Sequence, residues 1–146
     1  MNFPWIKRSV HQEVLARFQA QTLEYQNYRR RNAEIQSSAY CAGQADAALE
    51  LLPVYDNLLR ALEQPCQDEA YAEGIRMTLR SLQKALEALD ITEVPALGQP
   101  FDPAIHEAME HIQDDTLPEN TVAKVVQPGF IQKETLLRPA LVVVAN

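Results

Sequence analysis

The stretch that decides the fold is VLARFQAQTLEYQNYRRRNAEIQSSAYCA, residues 14–42. It lies in a run from about Ser9 to Ala47 that has no proline and one glycine, so a helix of roughly 40 residues is allowed. Apolar and aromatic residues recur in it at alternating steps of four and three, with two amides among them. This seam consists of Val14, Phe18, Gln21, Tyr25, Tyr28, Asn32, Ile35, Ala39 and Ala42. Such a heptad pattern predicts a coiled-coil helix.

The narrow seam indicates a partner helix, because a single helix cannot bury such a stripe against itself. A polar residue in the seam, here Asn32, is a common device for fixing the register of two helices. We therefore expect a homodimer. The predicted dimerisation residues are Val14, Phe18, Tyr25, Tyr28, Asn32 and Ile35. The alternative is that the stripe packs against the rest of this chain, which is short for covering such a rod.

Two shorter helical segments follow. Pro53 predicts a break in the long helix, because proline lacks the backbone donor and suits the first turn of a new helix. The second helix is expected to end near Glu63, and the third to run from about Asp68 to Asp90. Both have wide apolar faces that a hairpin of two helices leaves half covered. Pairing with a second copy into a four-helix bundle would complete their burial.

The pattern changes after Asp90, where three prolines and a glycine arrive within nine residues. Alternating and β-branched runs between turn residues then predict a small β-domain. The predicted strands are residues 121–126, 130–131 and 136–145, the last with an edge or bulge near Pro139. The fold class is therefore α+β. The predicted organisation is an N-terminal tail (1–8), a long dimerising helix (9–49), a helical hairpin (50–90) and a β-domain (91–146).

Charge and hydropathy exclude several classes of function. The 146 residues carry a net charge of −7, yet residues 1–31 hold six Lys/Arg against two Asp/Glu. The acidic remainder disfavours a general nucleic-acid binder. The longest apolar run, residues 140–145, is far short of the ~20 residues of a membrane span, and residues 1–10 lack the apolar stretch of a signal peptide. We expect a cytoplasmic protein without nucleic-acid or membrane partners.

No catalytic, cofactor or metal site can be assembled from the sequence. His106 and His111 are one residue too far apart for the zinc-protease motif and fall on different faces of a helix or strand. The four glycines are scattered, so there is neither a dinucleotide fingerprint nor a phosphate loop. Cys41 and Cys66 have no second cysteine nearby to make a zinc or redox motif. We predict a protein that is not an enzyme and needs no cofactor.

The run Arg29, Arg30 and Arg31 lies one turn from Tyr25 and Tyr28 and projects away from the seam. The default interpretation of such a run is a solvated helix face. The alternative is a contact with a partner, since arginine forms forked contacts with carboxylates across an interface.

Several motifs occur together in the order and spacing of a known family. In the C-terminal part they are FDPAIHEAM (101–109), GF (129–130), Glu134, LRPA (137–140) and VVV (142–144). In the helical part they are EYQNYRRR (24–31), LLPVYDNL (51–58), EGI (73–75) and TL (78–79). These motifs resemble the signature of the GrpE family, the nucleotide exchange factors of the DnaK chaperone. The resemblance covers about residues 22–145.

The resemblance implies a homodimer with paired long helices, a four-helix bundle and a C-terminal β-domain. It also implies binding to the nucleotide-binding domain of a DnaK-type chaperone and an outward swing of one lobe that releases ADP. Carried over by motif, the helix contacts are Asn27, Arg29 and Arg30, the bundle-side residues are Arg60 and Gly74, and the apolar face of the β-domain is Phe101, Val126 and Val144. The competing interpretations are a coiled-coil scaffold or adaptor without exchange activity and, more remotely, a nucleic-acid-associated coiled coil.

Overall fold

The computed structural model describes residues 8–114 and 116–145. The predicted N-terminal tail, residues 1–8, thus lies outside the described residues except for Arg8. The chain divides into two compact units, residues 1–43 and 44–146.

The first unit is helical throughout its described part. Helix α1 runs Arg8–Glu63, and its residues 8–43 belong to this unit. Side chains from Val10 to Tyr40 are exposed without exception, and the seam residues Phe18 and Tyr28 expose 67% and 63% of their surface. Within this unit the seam therefore has no packing partner.

Pro53 does not break the helix, so the prediction of a separate second helix is wrong. It lies inside α1, which continues to Glu63. A proline in a helix interior costs about 3 kcal/mol, because a backbone hydrogen bond is lost and the ring crowds the preceding turn. Leu52 and Tyr55 on either side of it are almost fully buried. Burying two large side chains stabilises by roughly 3–6 kcal/mol, which offsets that cost.

The predicted third helix is confirmed as α2, Glu69–Glu87. Asp68 is its N-cap: one carboxylate oxygen accepts hydrogen bonds from the backbone N–H groups of Ala70 and Tyr71, at 3.0 and 3.2 Å. This bonding satisfies donors that have no partner inside the helix. The chain then leaves the helix through Asp90, whose φ of 59° is tolerated by a short polar side chain.

Six strands form two three-stranded sheets. They are β1 (Ile91–Glu93), β2 (His106–Ile112), β3 (Thr121–Gln127), β4 (Phe130–Gln132), β5 (Thr135–Arg138) and β6 (Ala140–Ala145). The sheet orders are β1-β4-β5, all antiparallel, and β2-β6-β3, in which β2 and β6 are parallel. The predicted strand at 136–145 is divided at Pro139, which has no N–H for a ladder. Strands β1 and β2 were not predicted, but the α+β fold class is confirmed.

Two hydrophobic cores hold the second unit together. The first joins the end of α1, helix α2 and the β1-β4-β5 sheet through Ala48, Leu52, Tyr55, Leu79, Leu86, Ile91 and Phe130. The second lies in the other sheet and contains Ala96, Val122, Ala140, Val142 and Val144. The β1-β4-β5 sheet therefore covers one side of the pair formed by α2 and the end of α1. Leu51, Val54, Tyr71 and Met77 on the helices stay exposed.

Gly129 is required by a close approach of two backbone segments. A Cβ at this position would lie 2.8 Å from the carbonyl carbon of Pro139 and closer still to the backbone nitrogen of Ala140. Backbone atoms cannot move aside as a flexible side chain can. We expect Gly129→Ala to destabilise the fold by about 3 kcal/mol and to lower the Tm by roughly 6–12 °C.

Gly43→Ala is the matched control, because nothing lies within 4 Å of a Cβ at that helical position. It is expected to stabilise the helix by up to ~1 kcal/mol. Thermal unfolding of both variants at equal protein concentration tests the pair. Equal melting temperatures would contradict the close-approach interpretation.

Candidate functional site

The predicted helix contacts Asn27, Arg29 and Arg30 lie on α1 in the first unit. All three side chains are exposed, and none has a hydrogen bond or ion pair with another described residue. At about 100° per residue, Arg30 is on the side of the helix opposite the seam residue Tyr28. The Arg30 guanidinium is therefore available to a partner while the seam remains free.

A surface cleft in the second unit brings together two other predicted contacts. It has a volume of about 670 Å³ and lies between the last turns of α1 and the β2-β6-β3 sheet. Arg60 lines it from α1, and Val126, with 45% of its surface exposed, lines it from β3. These residues are 66 positions apart in the sequence, and only the packing of the sheet near the helix places them at one site.

Tyr55 connects the helices to the β-domain beside this cleft. Its hydroxyl accepts a hydrogen bond from Gln83 Nε2 at 2.9 Å and donates one to Glu93 Oε2 at 3.3 Å, while its ring meets Phe130 edge-on at 5.1 Å. Burial is the largest cause that raises the pKa of the Tyr55 phenol, and the negative charge of Glu93 adds to it. The neutral Tyr55 phenol therefore makes its full contribution to folding stability below its usual pKa of about 10. That contribution is lost as the pH rises further and the phenol ionises.

A hydrogen-bond network around Asp56 joins the two walls of the cleft and extends to Arg138 on β5. Arg138 Nη1 and Nη2 donate to the two carboxylate oxygens of Asp56 at 2.8 and 2.9 Å. Gln127 Nε2 donates to the same carboxylate at 2.6 Å, and Arg138 also donates to the Pro128 carbonyl oxygen at 2.7 Å. The guanidinium lies 5.7 Å from the centre of the Phe130 ring. This bidentate, mostly buried network fixes α1 relative to the strands.

The remaining predicted contacts have different surroundings. Gly74 is exposed on α2, with open space where a Cβ would stand. Phe101 is partly buried against the second core. Val144 is 0% exposed in the middle of that core. The prediction that it belongs to an exposed contact face is therefore wrong, and its side chain instead stabilises the sheet.

Sequence reasoning missed several residues in and beside the cleft. Asp56 and Arg138 stand inside the quoted motifs LLPVYDNL and LRPA, but nothing in the sequence shows that two residues 82 positions apart are paired. Glu93 and Glu63 carry no local signal at all. An isolated glutamate at a helix end or strand end is indistinguishable in sequence from a solvated one.

The cleft is lined by polar, charged and apolar side chains. Among residues 8–114 and 116–145, no group of three His, Cys, Asp or Glu side chains could hold a metal ion. None of the described helices is both long and apolar enough to cross a membrane. The chemistry on offer is hydrogen bonding, ion pairing and apolar contact.

Comparison with known proteins identifies the family. The GrpE family model matches residues 7–146. The chain is 42% identical over 138 residues to protein GrpE of Lactiplantibacillus plantarum, covering 92% of this chain and 68% of the relative. It is 37% identical over 125 residues to protein GrpE of Clostridium beijerinckii, covering 86% of this chain and 60% of the relative. The chain thus spans about three fifths of the length of the Clostridium relative. These matches extend over nearly the whole sequence, and the chain belongs to the GrpE family.

Proposed function

We propose that the protein is a cytoplasmic co-chaperone that binds the nucleotide-binding domain of a DnaK-type chaperone and accelerates the release of ADP. The observation that carries this proposal is the family match over residues 7–146. The described surface supports it, because it offers exposed arginines and a cleft for a protein partner.

The mechanism follows from differential binding. An exchange factor that binds the open arrangement of the chaperone lobes more tightly than the closed one shifts the population toward the open form. ADP then loses the contacts that the closed lobes provide. By linkage, a nucleotide that favours the closed form must weaken binding of the exchange factor by the same factor. No covalent step is needed in this protein.

The active form is proposed to be a homodimer. The exposed seam of α1 supports it, since five large apolar or aromatic side chains stand unpaired within the first unit. The exposed Leu51, Val54 and Met77 support a four-helix bundle built from the end of α1 and α2 of both copies. In this arrangement residues 9–49 dimerise, residues 50–90 form half of the bundle and residues 91–146 form the β-domain.

The proposed chaperone contacts are Asn27, Arg29 and Arg30 on the long helix, Arg60 and Gly74 on the bundle, and Phe101 and Val126 on the β-domain. Their exposure differs, and Phe101 offers only part of its ring. Arginine at the contact suits forked hydrogen bonding to carboxylates.

Stopped-flow release of labelled ADP from the cognate chaperone tests this function. The wild-type protein is expected to raise the release rate, and ATP is expected to dissociate the complex. Replacing Arg29 and Arg30 together by alanine should weaken binding at least tenfold, since each removes a charge-assisted contact.

Arg17→Ala is the control for that double variant. Arg17 is an exposed arginine of the same helix, paired with Glu13 at 2.6 Å and outside the arginine run. It should bind and stimulate release like the wild type. An unchanged release rate with wild-type protein would favour the scaffold interpretation, and normal binding by the double variant would remove the arginines from the contact.

Gly74 provides a second test of the contact surface. A glycine inside a helix costs about 1 kcal/mol relative to alanine, and nothing within this chain requires it, because the space around it is open. A close approach of the chaperone would explain it. We expect Gly74→Asp to give a folded dimer with at least tenfold weaker chaperone binding, because it places a larger charged group at that contact.

Gly74→Ala is the matched variant and should stabilise the helix by up to ~1 kcal/mol with little loss of exchange. Circular dichroism and a chaperone pull-down compare the two. Normal binding by the aspartate variant would refute a close approach at this position.

A further inference from the structure

The cleft beside Arg60 has an excess of acceptors and negative charge. Four charged side chains line it, namely Asp56, Arg60, Glu63 and Glu93. Asp56 forms an ion pair with Arg138 at 2.8 Å. Glu63 and Arg60 form no ion pair within the described part of the chain, and Glu93 accepts a hydrogen bond from the Tyr55 hydroxyl at 3.3 Å. Two carboxylates therefore face one guanidinium.

The charges that surround Tyr55 agree with this sign. The carboxylates of Glu93 and Asp56 both act to raise the pKa of its phenol, in addition to the larger effect of burial. The hydrogen bond from Tyr55 holds the Glu93 carboxylate beside the cleft, so its negative charge acts there. A second anion placed there would be repelled, and a cation would be attracted.

The cleft is also preformed and partly apolar. The Asp56–Arg138 network joins its helical wall to its strand wall, so little ordering is needed when a partner enters. Leu59, Val125 and Leu141 supply apolar surface between the polar groups. Long basic side chains suit such a place, because their methylene stems pack on apolar surface while the charged head reaches acceptors.

The cleft does not coincide with the face proposed for dimerisation. Asp56 and Val54 are two residues apart on α1, which places them about 160° apart around the helix. Val54 is half exposed on the side proposed to meet a second copy, whereas Asp56 faces the strands. A second copy paired through Val54 therefore leaves the cleft accessible.

We propose that this cleft receives a lysine or arginine side chain from the nucleotide-binding domain of the chaperone, held between Glu63 and Glu93. The proposal rests on the proposed function and goes beyond it, because it specifies the chemistry of the partner at this site. Val126 then contacts apolar surface of the chaperone around that basic side chain. Arg60 is exposed and remains available to a separate hydrogen-bond acceptor on the chaperone.

Glu63→Lys is the main test. Glu63 has no described hydrogen bond or ion pair, and a lysine is favourable at the C-terminal end of a helix, so the fold should be preserved. We expect the Kd for the nucleotide-free chaperone to rise about tenfold at low salt, chiefly through slower association. Glu93→Gln, which keeps an acceptor for Tyr55, should raise it about fivefold. In 1 M salt, where the screening length is about 3 Å, the Glu63→Lys effect should fall below about twofold.

Glu119→Lys is the matched control, with the same change of charge on an exposed residue. It precedes β3, and the length of this strand, about 20 Å from Thr121 to Gln127, separates it from the cleft. It should bind like the wild type. Unchanged or tighter binding by Glu63→Lys overturns the proposal, and tighter binding would identify an acidic occupant instead. If wild-type protein fails to bind the chaperone at all, the proposed function falls and this inference with it.

Discussion

Aspartate at both Tyr28 and Ile35 is expected to convert the protein from a dimer to a monomer. Both side chains are about two-thirds exposed on α1 and belong to the predicted seam. In a paired coiled coil the variant would bring four carboxylates into an apolar interface, and burying an unpaired charge is unfavourable by several kcal/mol each. Light scattering should give about twice 16.5 kDa for the wild type and a single chain mass for the variant.

Gln26→Asp with Ser37→Asp is the matched control. These residues lie on the opposite side of the helix, at about 160° and 180° from Tyr28, and introduce the same residue type in the same number. The control should remain dimeric. A compact wild-type monomer would refute the homodimer and favour the alternative in which the stripe packs within one chain. Equal dissociation by both double variants would show that helix propensity rather than the seam is responsible.

Asp56→Ala should lower the folding stability about as much as Gly129→Ala, although it leaves both hydrophobic cores intact. It removes the acceptor of two hydrogen bonds from Arg138 and one from Gln127. The side chains of Arg138 and Asp56 are only 18% and 13% exposed, so the guanidinium would remain largely buried without its counter-ion. Removing one partner of a buried pair costs 3–5 kcal/mol; because this pair is partly exposed, we expect about 3 kcal/mol.

Glu13→Ala is the control for this prediction. Its pair with Arg17 has a short distance of 2.6 Å, but both side chains are more than half exposed. Such a pair contributes less than about 0.5 kcal/mol. Chemical denaturation at one fixed protein concentration compares the two variants, since dimerisation makes apparent stability depend on concentration. Equal losses would mean that burial of the Asp56–Arg138 pair has no energetic consequence.

Helix α2 and its cap show how far local pattern determines structure. The apolar spacing after Asp68 and the capping preference of aspartate both act within a few residues, and the observed helix begins at Glu69, one residue after the predicted start near Asp68. Pro53 shows the limit. The local rule predicts a break, but burial of Leu52 and Tyr55 against distant residues outweighs it. Only the core that those residues enter decides the outcome.

Among the strands, too, some follow from local sequence and others depend on which strands become neighbours. Residues 121–127 and 140–145 carry β-branched runs that identify β3 and β6 without reference to other residues. Strand β2, HEAMEHI, has no such run and forms a strand by pairing in parallel with β6. Val144 looked like a surface contact from its motif, whereas the sheet around it leaves it fully buried. Burial depends on which strands become neighbours.

The sequence by itself determined the heptad seam, the arginine run, the presence of helix α2, the α+β class and the family. Each of these is encoded by residue types at short, regular spacing. Only the tertiary structure decided that α1 continues through Pro53, that Gly129 meets the backbone of Ala140, and that Arg60, Glu93 and Val126 line one cleft. The physical reason is that these features arise from contacts between residues tens of positions apart, whose energies depend on burial and distance rather than on neighbouring letters.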